Sequence, residues 1–492
     1  MNRFFRARLK YLTLFTAGGL ADLALAPFYI FPVLLISFPL FFKILDSAEN
    51  KKQAFKIGWM FGFGYFIFGL YWIANSLLVD AEKFAWLIPF AVCGIPFGLA
   101  IFIGLFAVCY HVGGRLRGVF LFATLWVVFE LLRTFIFTGF PWNLIGYTAL
   151  FSIEFAQIGA IGGVYLLSYA VIIISLLPVY YRKRKIVLPV IILTIAGFLY
   201  GSSHMVTDQA EIKKAKIVIF QPNIEQSLKW DPLEAKKQFI KSIDYNDRKE
   251  FKEADIILWP ETGVPYYLNR HQQASELLRR IAPDNGVLVT GGLRSEGEKE
   301  DYRVWNALYA VSKEGIYQSY DKIHLVPFGE FVPFRQYLPL EKITPGSMDF
   351  SSGGKREVIR YKDGPSFLPL ICYEVIFPEF SHSEVKPDLL VNVTNDGWFG
   401  DSTGPYQHLA MSQMRAIEQG VPLLRAANTG VSAVIDHNGR ILGSLPYNER
   451  GFLLANLELI KITTIYSIYG DMAILGLILT SIAILLIFRK KH

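Results

Sequence analysis

The segment Phe367-Leu368-Pro369-Leu370-Ile371-Cys372 sets a short apolar run directly before a cysteine. A run of this length predicts a buried β-strand at 367–371. A side chain that follows such a strand lies at the edge of a sheet, where loops bring polar groups together and α/β enzymes place their active sites. The segment therefore predicts an α/β sheet with Cys372 at its edge.

The sequence on both sides of this segment repeats the pattern of short strands between helical stretches. Helices are predicted at 231–251, 274–281 and 405–419. Strands are predicted at 216–220, 255–259, 287–290, 305–311, 315–321, 367–371, 389–393, 431–435 and 440–444. Strands that alternate with helices in this way predict a layered α/β domain in which hairpins lengthen the sheets.

Two further reactive side chains, Glu261 and Lys322, also come directly after predicted strands. A cysteine attacks an acyl carbonyl as its thiolate, so it needs a base and a positive neighbour. A glutamate can take the thiol proton and return it to a leaving group. A lysine can stabilise the thiolate and the oxyanion that forms on the substrate. Glu261, Lys322 and Cys372 are therefore candidate catalytic residues.

Each candidate also has a purely structural explanation. Cys372 fits a small core residue, Glu261 fits a turn or helix-capping residue, and Lys322 fits a solvated charge at a strand end. Other catalytic classes have less support, because the histidines of this region lack nucleophile-elbow or metal-ligand spacing. We expect no metal and no organic cofactor. The histidines are His204, His271, His324, His382, His408 and His437.

The chain as a whole is too apolar for an ordinary soluble protein of its length. Of its 492 residues, 52% are hydrophobic and 15% aromatic, and the mean hydropathy is +0.34. Charged residues are few between positions 11 and 200 and reach ordinary density between 211 and 458. Membrane spans of about 20 apolar residues are predicted at 11–26, 28–44, 56–78, 86–110, 119–138, 159–180, 186–203 and 470–488.

Basic residues predict the orientation of these eight spans, because cytoplasmic loops are enriched in Lys and Arg. If the N-terminus is cytoplasmic, the segments on the cytoplasmic side are the basic ones, at 51–52, 115–117, 182–185 and 489–491.

The predicted domains are a transmembrane bundle of about seven spans at 1–203, an extracytoplasmic catalytic domain at 204–469, and a last span with a basic cytoplasmic tail at 470–492. The net charge of +7 lies largely at these membrane ends, so nucleic-acid binding is not expected.

The local motifs around the candidates resemble those of the nitrilase, or carbon–nitrogen hydrolase, superfamily. The motifs are Trp259-Pro260-Glu261, Tyr320-Asp321-Lys322, Pro327-Phe328-Gly329-Glu330 and Ile371-Cys372-Tyr373-Glu374. The whole chain resembles the apolipoprotein N-acyltransferase family through its spans on both sides, the loop at 139–147 and the segment Gln221-Pro222-Asn223-Ile224-Glu225-Gln226-Ser227-Leu228-Lys229-Trp230-Asp231. This resemblance implies an αββα sandwich.

The resemblance also implies roles for individual residues. Cys372 would carry a thioester, Glu261 would be the general base and acid, and Lys322 would stabilise the oxyanion. Supporting or substrate-binding roles are implied for Glu330, Glu374, Tyr373 and Trp230. Structural alternatives remain for two of these, a salt-bridge partner for Glu374 and a buried anchor for Trp230. Asn306, Asn395 and Trp398 also lie near the motifs and are not assigned to the site.

The implied reaction is the final step of bacterial lipoprotein maturation at the inner membrane. A fatty acyl chain would pass from a phospholipid, typically phosphatidylethanolamine, to the amino group of the diacylglyceryl-cysteine of an apolipoprotein, by a ping-pong mechanism. We expect a monomer. One alternative is a membrane-anchored amidase or nitrilase that hydrolyses a soluble substrate. Another is a transporter or scaffold, for which Asp22 and the Glu130/Arg133 pair are candidate pathway charges.

Overall fold

A computed structural model describes the chain over residues 3–116, 118–205, 213–229, 231–337, 341–344 and 348–489. The chain divides into two compact units. The first contains Met1–Ala74, Trp86–Asp208 and Thr464–His492. The second contains Asn75–Ala85 and Gln209–Thr463.

The helices account for most of the first unit and for the outer layers of the second. In chain order they are α1 (Arg3–Asp22), α2 (Leu34–Asp46), α3 (Lys51–Gly69), α4 (Ile73–Leu78), α5 (Ala81–Phe84), α6 (Ile95–Val112), α7 (Val119–Phe135), α8 (Ile153–Ala156), α9 (Gly159–Ser175), α10 (Arg184–His204), α11 (Pro232–Asn246), α12 (Gln272–Ile281), α13 (Gly404–Gln419), α14 (Ile465–Tyr469) and α15 (Met472–Arg489).

Three helical stretches of the described residues are long and apolar enough to cross a membrane. They are Ala81–Val112, Gly159–Val179 and Arg184–His204. A shorter apolar stretch covers Met472–Ala483. The membrane character that the composition indicates is therefore present in the helices, whereas the count of eight spans stays a prediction.

Close backbone contacts and aromatic rings hold the first unit together. A Cβ atom at Gly64 of α3 would lie 2.0 Å from the carbonyl oxygen of Phe15 on α1, so these helices approach more closely than a side chain permits. Small residues at helix contacts are typical of membrane bundles. The rings of Phe41 and Phe61 stack at 4.2 Å, and Phe38 meets Trp126 edge-on at 5.2 Å.

Charged side chains of the first unit anchor the loop at 139–147. Arg133 donates to the carbonyl oxygens of Phe140 at 2.7 Å and Trp142 at 2.5 Å. Glu130 accepts from the backbone N–H of Ile145 at 2.8 Å, and Asp22 accepts from the Asn143 side chain at 3.1 Å. Each charge considered for a transport pathway therefore has a partner in this loop.

The second unit contains two six-stranded sheets. The strand order is β12-β1-β2-β3-β4-β5 in the first sheet and β11-β10-β9-β8-β7-β6 in the second. The strands are β1 (Lys214–Gln221), β2 (Ile256–Leu258), β3 (Val287–Glu296), β4 (Arg303–Ser312), β5 (Gly315–Asp321), β6 (Ile359–Arg360), β7 (Ser366–Ile371), β8 (Leu389–Thr394), β9 (Leu423–Ala427), β10 (Ser432–Ile435), β11 (Ile441–Leu445) and β12 (Gly451–Glu458).

The two sheets face each other across one core, and helices cover their outer faces. Successive side chains of a strand point to opposite faces. In β1, Ile217 and Ile219 therefore join the core shared with β7, β8 and β9. Val218 and Phe220 point the other way, toward α11 and α12. With α13 packed on β9 of the second sheet, the unit is an αββα sandwich, which confirms the predicted α/β domain.

Each sheet has a parallel centre with antiparallel strands outside it. Strands β1, β2 and β3 run parallel, as do β7, β8 and β9. The carboxyl ends of β2, β7 and β8 can therefore hold polar groups near one another. Pro369 is tolerated in β7 because β6 pairs with this strand only at Ser366 and Phe367. Among the described residues, no strand therefore pairs with the backbone at Pro369 on that side.

Candidate active site

The three candidate catalytic residues follow β2, β5 and β7 and are all buried. Their exposed fractions are 6% for Glu261, 1% for Lys322 and 7% for Cys372. The ammonium of Lys322 lies 3.7 Å from Glu261 Oε1 and 2.9 Å from Glu330 Oε2. Lys322 is therefore not a solvated charge at a strand end, and Glu330 joins the cluster to which the motif assigns it.

Backbone contacts fix the turn that carries Glu261. The N–H of Trp259 donates to Val289 at 2.8 Å, and the N–H of Gly291 donates to Pro260 at 3.1 Å. A Cβ atom at Gly291 would lie 2.5 Å from Glu261 Cα. Glycine at this position in β3 therefore allows the close approach of the turn to the sheet.

Asn306, on β4, links the two carboxylates of the cluster. Its Nδ2 donates to Glu261 Oε1 at 2.7 Å and to Glu330 Oε1 at 2.8 Å. Its carbonyl oxygen accepts from the backbone N–H of Lys322 at 2.8 Å. One residue thus sets the positions of both carboxylates and of the lysine. The second oxygen of Glu330 accepts from the N–H of Val326 at 2.8 Å.

Cys372 has a backbone conformation that L-residues adopt at a cost. Its φ is +49°, at the start of a 3₁₀ turn over Cys372–Ile376, and a non-glycine residue in this region is strained unless its surroundings hold it. The Nε2 of His408, on α13, lies 3.2 Å from the Cys372 carbonyl oxygen. Because that oxygen only accepts, Nε2 donates in this contact.

A buried ionic array supports His408 from behind. Its Nδ1 lies 3.0 Å from Asp396, and Asp396 accepts from Arg425 at 2.6 Å and from Thr394 at 2.9 Å. Burial alone would raise the pKa of Asp396, but the positive charge of Arg425 and the contacts with His408 and Thr394 hold it at about 2. The array therefore joins the end of β8 and the middle of β9 to the turn that begins at Cys372.

Glu374 joins the loop after β5 to the strand that precedes Cys372. Its Oε1 accepts from the Tyr320 hydroxyl and the N–H of Ile323, both at 2.8 Å. Its Oε2 accepts from the N–H of Ile371 at 2.7 Å. Burial raises the pKa of Glu374, against the opposing effect of these hydrogen bonds. Glu374 is thus a hydrogen-bond acceptor between two site loops, and it forms no salt bridge within the described part of the chain.

Tyr373 is buried beside an aromatic group. Its ring lies 5.7 Å from His324 and 5.1 Å from Phe377, and the rings of His324 and Phe377 are 4.1 Å apart. This packing fixes the direction of the residue next to Cys372. Trp230 lies outside the described residues.

Burial and charge determine the resting protonation of the site. Burial raises the pKa of the Cys372 thiol, as does the charge of Glu261, and Lys322 opposes this rise. Burial alone would lower the pKa of Lys322, but Glu330 and Glu261 outweigh burial and raise it. The site therefore pairs a neutral thiol with a charged lysine, so thiol attack requires a base that accepts the proton during the reaction.

Among the described residues, no group of three or more His, Cys, Asp and Glu side chains is arranged to hold a metal ion. The cluster instead combines a thiol, carboxylates and an ammonium. This set can carry out covalent acyl chemistry with proton transfer.

Comparisons with known proteins cover both units. The family model described as "Apolipoprotein N-acyltransferase N-terminal domain" matches residues 17–177, and the model described as "Carbon-nitrogen hydrolase" matches residues 216–466. Proteins named apolipoprotein N-acyltransferase match most of the chain. The one from Rhizobium rhizogenes is 37% identical over 90% of this chain and 89% of its own length. The chain belongs to the apolipoprotein N-acyltransferase family.

Other apolipoprotein N-acyltransferases give the same result. The protein from Brucella melitensis is 38% identical over 90% of this chain and 88% of its own length. The one from Rickettsia typhi is 37% identical over 94% of this chain and 95% of its own length. Among solved structures, a CN-hydrolase superfamily protein from Xanthomonas campestris has a TM-score of 0.37 and 18% identity, covering 50% of this chain and 91% of that one.

Three residues that contact the catalytic cluster could not be assigned to it from the sequence. They are Lys229, Asn306 and His408. Asn306 carried a usable signal, since it is a polar residue between Trp305 and Ala307 in an otherwise apolar strand. Lys229 lies in the segment that carries the family resemblance, but nothing local to it or to His408 indicates a contact with the site, because both reach it through tertiary contacts.

Proposed function

We propose that this chain transfers a fatty acyl chain from a membrane phospholipid to the terminal amino group of a diacylated lipoprotein. The observation that carries the proposal is the buried Glu261–Lys322–Cys372 cluster. It occurs in a chain whose family is named for this activity and which has membrane-length apolar helices. A lipid donor and a lipid-anchored acceptor both stay in the bilayer, so an enzyme that joins them benefits from being there.

The first half-reaction forms a thioester on Cys372. The thiol sulfur attacks the ester carbonyl of the phospholipid while Glu261 accepts the thiol proton. The ammonium of Lys322 stabilises the negative charge on the carbonyl oxygen. The C–O bond then breaks, and Glu261 returns the proton to the leaving alkoxide. The products are the acyl-enzyme and a lysophospholipid.

The second half-reaction transfers the acyl chain to nitrogen. The lipoprotein amine attacks the thioester carbonyl, and Glu261 accepts a proton from the amine nitrogen. The C–S bond breaks as the amide forms, and the thiolate of Cys372 takes the proton back from Glu261. The burial of all three residues favours this aminolysis, because water must be kept from the thioester until the amine arrives.

The remaining site residues position the three catalytic residues or handle substrate. Glu330 and Asn306 hold Lys322 and Glu261 in place through the contacts described above. Glu374 ties together the loops that carry Lys322 and Cys372. Tyr373 and Trp230 are assigned to substrate handling by their match to the family motif.

The proposal includes a topology and specific partners. The chain has eight spans with both termini in the cytoplasm, and residues 204–469 lie on the periplasmic side of the bacterial inner membrane. The basic loops support this orientation. Phosphatidylethanolamine is the acyl donor, a diacylated apolipoprotein is the acceptor, and the enzyme is a monomer.

The experiment is a transfer assay with purified protein in detergent. Phosphatidylethanolamine with a labelled acyl chain is incubated with a diacylated lipopeptide that has a free amine, beside the same lipopeptide with an acetylated amine. We expect label on the free-amine peptide only, and none with Cys372→Ala. Failure of the active protein to acylate this peptide, together with release of ammonia from small soluble amides, would refute the proposal in favour of the amidase.

A further inference from the structure

A second lysine, Lys229, is buried beside the proposed catalytic cluster. Its exposed fraction is 6%, and its ammonium donates to the backbone carbonyl oxygen of Glu261 at 2.9 Å. Within the described part of the chain, Lys229 forms no ion pair with a carboxylate. Burying an ammonium that is hydrogen-bonded only to a neutral carbonyl costs free energy unless a negative charge lies nearby.

The charges of the cluster identify that negative charge. Lys322 and Glu330 form an ion pair at 2.9 Å and cancel each other. Glu261 and Cys372 hold one mobile proton between them in the proposed mechanism. They therefore share one negative charge, which lies on the carboxylate before proton transfer and on the sulfur after it. Without a further cation, the buried cluster has a net charge of −1 in both states.

We infer that Lys229 is a positioning residue that holds the Glu261 turn and supplies the positive charge that balances the Glu261–Cys372 pair. This inference deepens the proposed function and rests on it. The hydrogen bond to the carbonyl oxygen of Glu261 places the ammonium beside the turn that carries the base. The charge stabilises both ends of the proton transfer, because it remains when the negative charge moves from carboxylate to sulfur.

The titratable groups that act on Lys229 are Glu261 and Cys372. Burial lowers the pKa of Lys229 to about 8, and these two groups oppose that lowering. A lysine with this pKa is charged below pH 8 and loses its charge as the pH rises through 8. The rate of acyl-enzyme formation should therefore fall on the alkaline side of about pH 8.

The test measures single-turnover acylation of Cys372 by phosphatidylethanolamine between pH 6.5 and 10. Lys229→Arg keeps the charge at every pH, so it should retain activity and lose the alkaline fall. Lys229→Met should be slower by about tenfold or more, the effect of removing one neighbouring charge, and should also lack the fall.

Lys386→Met is the matched control. Lys386 is a half-buried lysine whose pKa is also lowered to about 8 by burial, and it donates to the carbonyl oxygen of Ile462. Its replacement removes an ammonium with the same lowered pKa away from the cluster, so the rate and the alkaline fall should be those of the wild type. A wild-type rate for Lys229→Met, or an alkaline fall that persists in Lys229→Arg, would overturn the inference.

A second measurement separates this inference from the proposed function. In a Cys93→Ser/Cys109→Ser background, the rate of Cys372 alkylation by iodoacetamide at pH 7.5 reports the ionisation of the thiol without any lipid. Lys229→Met should slow alkylation by about tenfold or more, and Lys229→Arg should not. If alkylation responds in this way but no acyl-enzyme forms, the charge role stands and the acyltransferase proposal fails. If the acyl-enzyme forms but Lys229→Met alkylates at the wild-type rate, the charge role fails.

Discussion

Lys322 stays charged in a place where burial alone would neutralise it. Its exposed fraction is 1%, and the carboxylates of Glu330 and Glu261 together outweigh the effect of burial. Glu330 is the nearer of the two, at 2.9 Å against 3.7 Å. The longer contact leaves Glu261 freer to exchange a proton with Cys372, while Glu330 keeps the lysine in position.

Replacing Glu330 tests this division of labour. Glu330→Gln removes one partner of a buried ion pair, a change that typically costs about 3–5 kcal/mol, and Lys322 should then pair more tightly with Glu261. We expect a lower thermal midpoint and a large loss of acylation rate, measured by melting and single-turnover kinetics. Glu357→Gln removes a similar pair at the surface, with Lys355, and should change neither quantity. Equal behaviour of the two variants would contradict the account.

Glu374 supports a second prediction at the residue scale. Glu374→Gln replaces one acceptor oxygen with an amide N–H₂ that faces N–H or O–H donors. A buried donor left without an acceptor costs about 1–3 kcal/mol. The free energy of unfolding, measured in denaturant, should fall by this amount, and the activity should be reduced. Wild-type stability would mean that these hydrogen bonds do not hold the two loops together.

The sequence indicates candidate site residues most clearly where a strand leads directly into them. Glu261, Lys322 and Cys372 could be chosen because each follows a recognisable strand, and the local motif added Glu330 and Glu374. Lys229 and His408 could not be identified in this way. Lys229 reaches Glu261 across 32 positions of the chain and His408 reaches Cys372 across 36, so only the folded backbone brings them together.

At the scale of elements, β3 sets the position of the turn that carries Glu261. The sequence predicted that this strand ends before Gly291-Gly292, but it continues to Glu296. Glycines usually weaken strands, and here Gly291 lies in the strand because another backbone passes against it. Strands β6, β9 and β12 were also missed. The first two are short, and β12 is completed by its pairing with β1 along the whole of both strands.

Gly291 and Gly292 provide a matched pair for testing this packing. A Cβ atom at Gly291 would lie 2.5 Å from the backbone of Glu261, whereas at Gly292 the nearest atom would be a Leu268 methyl at 3.4 Å. Gly291→Ala should displace the Glu261 turn and lower activity by about 100-fold, the usual effect of a misplacement of about 1 Å. Gly292→Ala should retain activity. Comparable kinetics for the two variants would show that the turn is not held in this way.

The array behind Cys372 predicts a dependence of stability on pH. Because the pKa of Asp396 is about 2 in the folded protein and about 3.9 in an unfolded chain, its stabilising effect is present above pH 4. It is lost as the pH falls from 4 toward 2. As the pH is lowered from 6 to 2.5, the midpoint of thermal unfolding should fall less steeply for Asp396→Asn than for the wild type. At pH 6 the midpoint of the variant should already be the lower of the two. Parallel slopes would contradict the role of Asp396.

At the scale of the whole molecule, composition predicted a membrane protein with one α/β domain. The α/β domain follows from periodicity and turn residues, which are local signals. The number of spans is less determined, because long apolar helices occur both in membranes and in buried cores. Three described helical stretches are long and apolar enough to cross a membrane.

Protease sites test the proposed orientation. A cleavage sequence inserted between Glu384 and Val385, at an exposed loop of the second unit, should be cut when protease is added to intact spheroplasts. The same sequence inserted between Tyr181 and Arg182 should be cut only after the membrane is opened. Cleavage of both sites in intact spheroplasts, or the reverse pattern, would contradict the topology that the basic loops predict.

In the proposed mechanism, Cys372 carries the acyl chain between two lipid substrates. The most direct measurement is intact mass spectrometry of the protein after incubation with phosphatidylethanolamine alone. We expect one fatty-acyl adduct that maps to Cys372 and is released by hydroxylamine. It should disappear when a diacylated lipopeptide with a free amine is added, and it should be absent in Cys372→Ala. An active protein with no adduct, or an adduct that persists in Cys372→Ala, would contradict this mechanism.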